Sequence, residues 1–475
     1  MLTSAPGLLD VSTEPHLQGA FAPVVDEVDV SDLSVEGELP AEIDGDYIRN
    51  GPNPRFTPLG AYIYPLDGDG MLHRVRIRDR RASYSNRFVR TPALVAEEAA
   101  GRALWPGIAG LNYSPDADEV GADLAGTMKD LPGINVIRHA GRLLALGESC
   151  NPFLMSPQLA TLGRETFGGT LPAGITAHPK VDPVTGEMVV FCYGLEPPFL
   201  TWAVLGRDGS TVRGVTPVEG VRRPSMIHDM ALTPSYVVLV VGPFFFDIAA
   251  AMRGGSPLAW EPDQGTRIAL IPRDGGRVSW LETDAFWMWH TANAHDVTSA
   301  SGTTGVVLDY VRWSMPGGLV PGGTASGSLA RIHLQPATGA VRHETLVDRN
   351  MEFPRVDDRA ITRSHPVIAT ALKTGPRQLI SGDADTLGWY DTTTGFFSLW
   401  YAGDLSVGEP TYIPEPVVAD QHRGWWTTIA TDRTDLTSRL LIIPAADPAS
   451  GPLATVRLLQ RVPAGLHGAW LPTKE

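Results

Sequence analysis

Between about Asp44 and the C-terminus, short β-branched and aromatic runs alternate with turn signals. The runs include "GEMVVFCYG" from Gly186, "YVVLVVG" from Tyr236, "TRIALIPRDGGRVSWLE" from Thr266, "GVVLDYVRW" from Gly305, "RQLISGD" from Arg377 and "RLLIIPA" from Arg439. Their lengths and residue types predict strands, because branched and aromatic side chains suit a pleated, half-buried surface. "DPVTGEM", "GRDGSTV", "PRDGGRV", "QPATGAV" and "DTTTGFF" lie among them, and each offers a glycine where a tight hairpin needs positive φ. Long apolar stripes at the helical period are scarce. No low-complexity linker interrupts the series, so residues 1–475 are expected to form one all-β domain, with 1–40 as an N-terminal extension packing on it. A β-propeller hides its sheet edges at this length, and a chain of two sandwiches is the alternative. No fixed repeat is visible, so the blades are expected to be irregular.

Composition narrows the function. Hydrophobic residues make up 43% and charged residues 19%, the balance of a globular chain. The 38 Lys and Arg against 53 Asp and Glu give a net charge of −15, which argues against a nucleic-acid backbone as partner. Cys150 and Cys192 lack the spacing of a redox or metal pair, and a reducing compartment is expected. The first residues carry no basic segment followed by an apolar core, so the expected location is cytoplasmic. The longest apolar run, "YVVLVVGPFFFDIAAAM", is broken by Gly242, Pro243 and Asp247, which excludes a spanning helix. A buried strand and turn are expected there, with "PFFF" dipping into a bilayer as the alternative.

The chemistry lies with the histidines. His178 in "GITAHPKVDPVTGEM", His228 in "SMIHDMALTP", His290 in "FWMWHTANAHD" and His467 in "PAGLHGAWLP" each border a strand-like segment, at irregular separations. Irregular spacing suits a site collected from several blades on a central axis. Four neutral imidazoles suit a borderline divalent metal, and iron, copper, nickel and zinc all fit that description. His16, His73, His139, His333, His343, His365 and His422 lie in polar or loop-like contexts and are read as ordinary groups. Glu148, Glu352 and Glu409 lie beside apolar segments; a ligating histidine donating its second N–H to such a carboxylate would satisfy both groups.

These residues fall within ordered motifs. "LQGAFAPVVDEVDVSDLSVEGELPAEIDGDYIRNGPNPRF", "DGDGMLHRVRIRD", "NVIRHAGRLLALGE", "TAHPKVDPVTGEM", "IHDMALTP", "HTANAHD", "EFPRV", "GEPTYIP" and "GLHGAW" together resemble the carotenoid cleavage oxygenases over nearly the whole chain. The resemblance implies a seven-bladed β-propeller with a loop and helical cap over an axial Fe(2+). By motif, the ligands are His178, His228, His290 and His467, with Glu148, Glu352 and Glu409 orienting the last three. His295 and Asp296 follow His290 in its motif as structural neighbours. The implied reaction is O₂-dependent scission of a conjugated C=C of an apocarotenoid or carotenoid into two carbonyl products. Stilbene or phenylpropenoid cleavage is the second reading, and a non-catalytic hydrophobic-ligand binder the third. The implied partners are a hydrophobic small molecule and O₂, with peripheral membrane contact as a way to collect substrate.

Two departures bear on substrate. Phenol-cleaving relatives carry a lysine where this chain has Gly147, so the usual Tyr–Lys phenol anchor is incomplete, although Tyr113 lies in roughly the right region. Gly147 is therefore expected to widen an apolar cleft, with Lys129 or Tyr113 as replacement donors. Many relatives have a threonine before the next strand; here "PGIN" places Ile134 there, able to occlude one metal coordination position.

Overall fold

The computed structural model describes residues 5–473 apart from 111–112, 149, 173, 254, 299–301, 321, 417, 419 and 421. It is a seven-bladed β-propeller built from antiparallel sheets. From the axis outward, the first blade consists of Gly468–Pro472, Gly45–Pro52, Gly70–Arg78, Arg81–Phe88 and Asp29–Val30. The next five are simple meanders whose inner strands are Asn135–His139, Lys180–Val181, Met230–Leu232, Trp287–Thr298 and Met351–Arg355. In the seventh, Thr411–Pro414 and Leu405–Val407 both pair with Gly424–Asp432, followed outward by Ser438–Pro444, Ala454–Leu458 and Val35–Gly37.

Both chain ends therefore close the ring. Gly468–Pro472 pairs with Gly45–Pro52, and Val35–Gly37 pairs with Ala454–Val456. The apolar residues of the sequence runs lie between blades, where each sheet buries a face against its neighbour. Leu39, Ile43, Tyr47 and Val75 of the first blade meet Ile429, Leu440, Ile442 and Val456 of the last. Val238, Ile268 and Leu270 meet Leu308, Ile332 and Leu334 in the same way. The hairpin signals hold: Gly209, at φ +81°, turns Leu200–Leu205 into Thr211–Pro217, and Gly339, at φ +74°, turns Gly327–Gln335 into Ala340–Val347.

One segment departs from the sequence reading. "RQLISGD" forms no strand; Arg377–Asp383 is a loop after Val367–Leu372. Tyr236–Val241 is the buried strand expected, and after the bend at Gly242 and Pro243 the "PFFF" residues Phe244–Phe246 pair with Leu258–Trp260, with the Phe244 ring fully buried. Among the described residues, no helix is long and apolar enough to cross a membrane.

Candidate metal centre

The four histidines come from four blades, at differing positions along the inner strands. His467 immediately precedes Gly468–Pro472, His178 and His228 lie two residues before Lys180–Val181 and Met230–Leu232, and His290 is the fourth residue of Trp287–Thr298. In the other three blades, Ile134 and Glu409 lie one and two residues before the inner strand, and Glu352 is its second residue. The sequence spacing is irregular because loops between blades differ in length. In the blade of His290 the ladder shifts register between Met288 and Asn293, which turns the His290 side chain out of simple alternation.

The ligand nitrogens of His178, His228 and His290 lie within 4.8 Å of one another. The His467 ring completes the group, with its centroid 4.6 Å from that of His178 and 4.7 Å from that of His290. Three of the four rings are held by carboxylates at Nδ1. His228 lies 2.8 Å from Glu148, His290 2.6 Å from Glu352, and His467 2.8 Å from Glu409. Each carboxylate has a further donor. Tyr193 donates to Glu148 at 2.6 Å, Trp313 to Glu352 at 2.9 Å, and Gly468 N and Arg355 both to Glu409 at 2.9 Å. Nδ1–H donated to a carboxylate leaves Nε2 as the free lone pair, facing the axis.

A cation fits this donor set. The His290 Nε2 atom is buried without a hydrogen-bond partner among the described residues, and the Nε2 atoms of His178 and His228 are 3.1 Å apart. Burial, reinforced by the other imidazoles, holds His178 well below the ordinary histidine range, and burial pushes His467 down to about 4. Both are thus neutral donors at pH 7. Burial would raise Glu409, but Arg355 and His467 outweigh it and hold the carboxyl at about 2. Burial opposes protonation of His290, yet Glu352 outweighs it and shifts the bare ring upward. The same carboxylate would strengthen this imidazole as a donor to a metal.

The histidine group separates two cavities. One, of about 390 Å³, runs among the inner strands and is lined by His178, His290, His467, Lys180, Asp229 and Arg355. It carries charged side chains, but these are paired: Lys180 lies 2.8 Å from Asp229, and Arg355 reaches Glu409. The other, of about 550 Å³, is walled by Tyr64, Trp289, Trp313, Leu319 and Phe353 and reaches His228, His290 and His467. Trp289 meets the His228 ring edge-on at 5.0 Å, and Phe353 stacks on His290 at 5.5 Å. A site of this volume with apolar walls suits a hydrophobic small molecule.

The sequence-derived pocket residues divide. Ile134 is buried, lines the larger cavity and packs with Ala177 and Leu466. Gly147 does not line the cavity, and the expected widened cleft is wrong. Its Cα packs on Leu131 and Pro132, where even a Cβ would overlap the Leu131 carbonyl oxygen. Tyr113 is not in the cavity wall either; its hydroxyl lies 3.5 Å from Glu119 at the surface. Lys129 is tied to Asp69 at 2.7 Å and Glu97 at 2.5 Å and is no replacement donor there. His295 lies outside the histidine group, near His365, and Asp296 accepts from Ser235. His73, His139 and His365, expected in polar or loop-like contexts, are buried, and His16 lines the larger cavity. Tyr193, Trp313 and Arg355, which hold the carboxylates, were not singled out in the sequence. Only Arg355, inside "EFPRV", carried a motif signal.

The family model described as retinal pigment epithelial membrane protein matches residues 21–472. The chain belongs to the carotenoid oxygenase family. A carotenoid cleavage oxygenase of Mycobacterium tuberculosis is 34% identical, over 97% of this chain and 98% of that protein. The Pseudomonas brassicacearum lignostilbene dioxygenase structure superposes with a TM-score of 0.86 at 28% identity, covering 99% of this chain and 100% of that one. A cobalt-substituted Synechocystis ACO structure gives a TM-score of 0.82 at 26% identity, covering 95% of this chain and 97% of that one. This carotenoid oxygenase family member is a dioxygenase, with a three-histidine group suited to a metal.

Proposed function

We propose that the enzyme is an Fe(II)-dependent dioxygenase that cleaves a conjugated C=C of an apocarotenoid or carotenoid with O₂ to give two carbonyl products. The observation that carries this reading is the convergence of four histidines, three of them held at Nδ1 by carboxylates, on the floor of an apolar aromatic cavity. In this reading His178, His228, His290 and His467 hold the metal through Nε2, and Fe(II) supplies the redox chemistry with O₂. Glu148, Glu352 and Glu409 fix ring orientation and tautomer. Trp289, Trp313 and Phe353 hold the polyene and exclude water, and the rigid walls select which double bond lies nearest the histidines. Ile134 fills space beside the site and restricts access from its side.

Cleavage of a stilbene or phenylpropenoid is the second reading, favoured by the likeness to the lignostilbene dioxygenase structure. Against it, the lysine anchor position is Gly147, packed too tightly for any side chain. Aerobic assays of the iron-loaded enzyme with an apocarotenal and with resveratrol decide between the two. We expect aldehyde products and a kcat/KM ratio favouring the apocarotenal, and a ratio favouring resveratrol overturns the substrate class. Alanine at His178, His228, His290 or His467 is expected to abolish iron binding and turnover; full iron content in one variant removes that residue from the ligand set.

A further inference from the structure

The larger cavity holds polar groups that metal binding does not use. Lys373 follows the strand Val367–Leu372, and its backbone N–H bonds the Asn350 carbonyl oxygen at 3.4 Å. Ala371 pairs with Glu352 across the ladder, so Lys373 lies two residues, about 7 Å of strand, beyond the level of the carboxylate that holds His290. Lys373 is half-buried and lines the same cavity as His290.

Its ammonium makes one hydrogen bond, to the Ile380 carbonyl oxygen at 2.8 Å, and no carboxylate of a described residue lies within 4.0 Å. The nearest acids are otherwise engaged. Asp383 accepts from Ser406 at 2.6 Å and from Arg433 at 2.7 Å, and Asp385 accepts from the backbone of Thr374 and Gly375. Tyr64 lines the same cavity, on the other side of the Ile380–Gly382 loop that bonds Lys373, and its hydroxyl is buried without a partner among the described residues. The Tyr64 ring is fixed in place. His16 stacks on it at 4.6 Å and 5°, itself held by the Ser381 carbonyl oxygen at 3.0 Å, and Gly382, at φ +82°, lies so close that a Cβ would strike the ring.

A buried phenol proton without an acceptor is costly, and the half-buried Lys373 ammonium, near Asp383 and Asp385, keeps two protons that no described residue accepts. Neither is needed to hold the fold's own charges. We propose that Lys373 and Tyr64 form the subsite for an oxygen-bearing end of the substrate, donating to its carboxylate, carbonyl or hydroxyl oxygen while the conjugated chain extends to His228 and His290. The inference rests on the cleavage reading above and adds the end group: a positive donor favours carboxylate over the neutral oxygens, and all of these over a hydrocarbon terminus.

The test uses iron-loaded enzyme under anaerobic conditions, where binding is read without turnover by quenching of tryptophan fluorescence. The ligands are apocarotenoids of one chain length ending in carboxylate, aldehyde, alcohol or hydrocarbon. Wild type is expected to bind the carboxylate tightest and the hydrocarbon weakest. Lys373→Met is expected to lose roughly 10- to 150-fold of the carboxylate affinity and Tyr64→Phe roughly 2- to 12-fold, with hydrocarbon binding unchanged. Lys373→Arg, which keeps the charge, is expected to retain most of the preference. If Lys373→Met weakens every ligand equally, or leaves the carboxylate-to-hydrocarbon ratio intact, the subsite is wrong. Aerobic turnover separates the two readings. Terminus-dependent binding without cleavage keeps the subsite and removes the reaction; cleavage indifferent to the terminus does the reverse.

Discussion

Glu409 differs from the other two carboxylates in what it neutralises. Glu148 and Glu352 each meet a histidine and a neutral donor, whereas Glu409 also faces the Arg355 guanidinium in a buried pair. Replacing a carboxylate by its amide keeps the shape but removes the charge. All three Glu→Gln variants should hold iron about 10–100-fold more weakly. Glu409→Gln should in addition lose about 1–3 kcal/mol of stability, because the Arg355 guanidinium keeps only the exposed Asp358 as counter-charge. Iron content after dialysis against a chelator, together with urea unfolding, checks both; equal unfolding midpoints for the three variants would refute the distinction. Gly147 makes a second case at this scale. Gly147→Ala drives a methyl into the Leu131 carbonyl and should cost about 1–3 kcal/mol by overpacking. Its apocarotenal-to-resveratrol ratio should equal that of wild type, and a changed ratio would return Gly147 to the cavity wall.

Among the elements, the closing strand Gly468–Pro472 has two tasks. It covers the inner edge of the first blade, and it fixes His467 immediately before it and Gly468 N against Glu409. Val35–Gly37 closes the ring too, but only at the outer edge of the last blade. A proline removes one ladder N–H at either place. At Ala469, opposite Ile48, it interrupts an inner pairing next to a ligand; at Glu36 it touches an exposed edge. Ala469→Pro is therefore expected to lose about 1–3 kcal/mol together with most of its bound iron, and Glu36→Pro to keep its iron. Melting curves and metal analysis on both variants make the comparison, and iron retained by Ala469→Pro would show that the strand does not position His467.

For the molecule as a whole, the metal site joins four blades of a ring in which each blade already packs on its neighbours. Their apolar interfaces do not depend on the axis, so metal-free protein should remain folded with unchanged far-UV circular dichroism. Iron should add only the linkage term, about 2.7 kcal/mol at a free concentration of one hundred times Kd. Calorimetry with and without chelator reads this as a shift in Tm with a single transition retained. A metal-free chain that unfolds without cooperativity would mean that the ring closes around the metal.

The sequence determined the strands, their hairpin turns and the four histidine contexts, because period-two burial, turn glycines and short ordered motifs are local properties. It also paired each glutamate with its histidine, through the family pattern in which they lie. It misplaced Gly147 and Tyr113, because the wall of a cavity is set by how strands from different blades approach, and neither backbone packing against Leu131 nor the course of the 113 loop has a local signature. "RQLISGD" reads as a strand by composition, yet it forms the loop that bonds Lys373 and braces Tyr64 through His16, because strand pairing is a non-local choice that composition does not settle. That four of the seven inner strands bring a histidine to one point was visible only in three dimensions. The ring supplies a common geometry that unequal loops conceal along the chain.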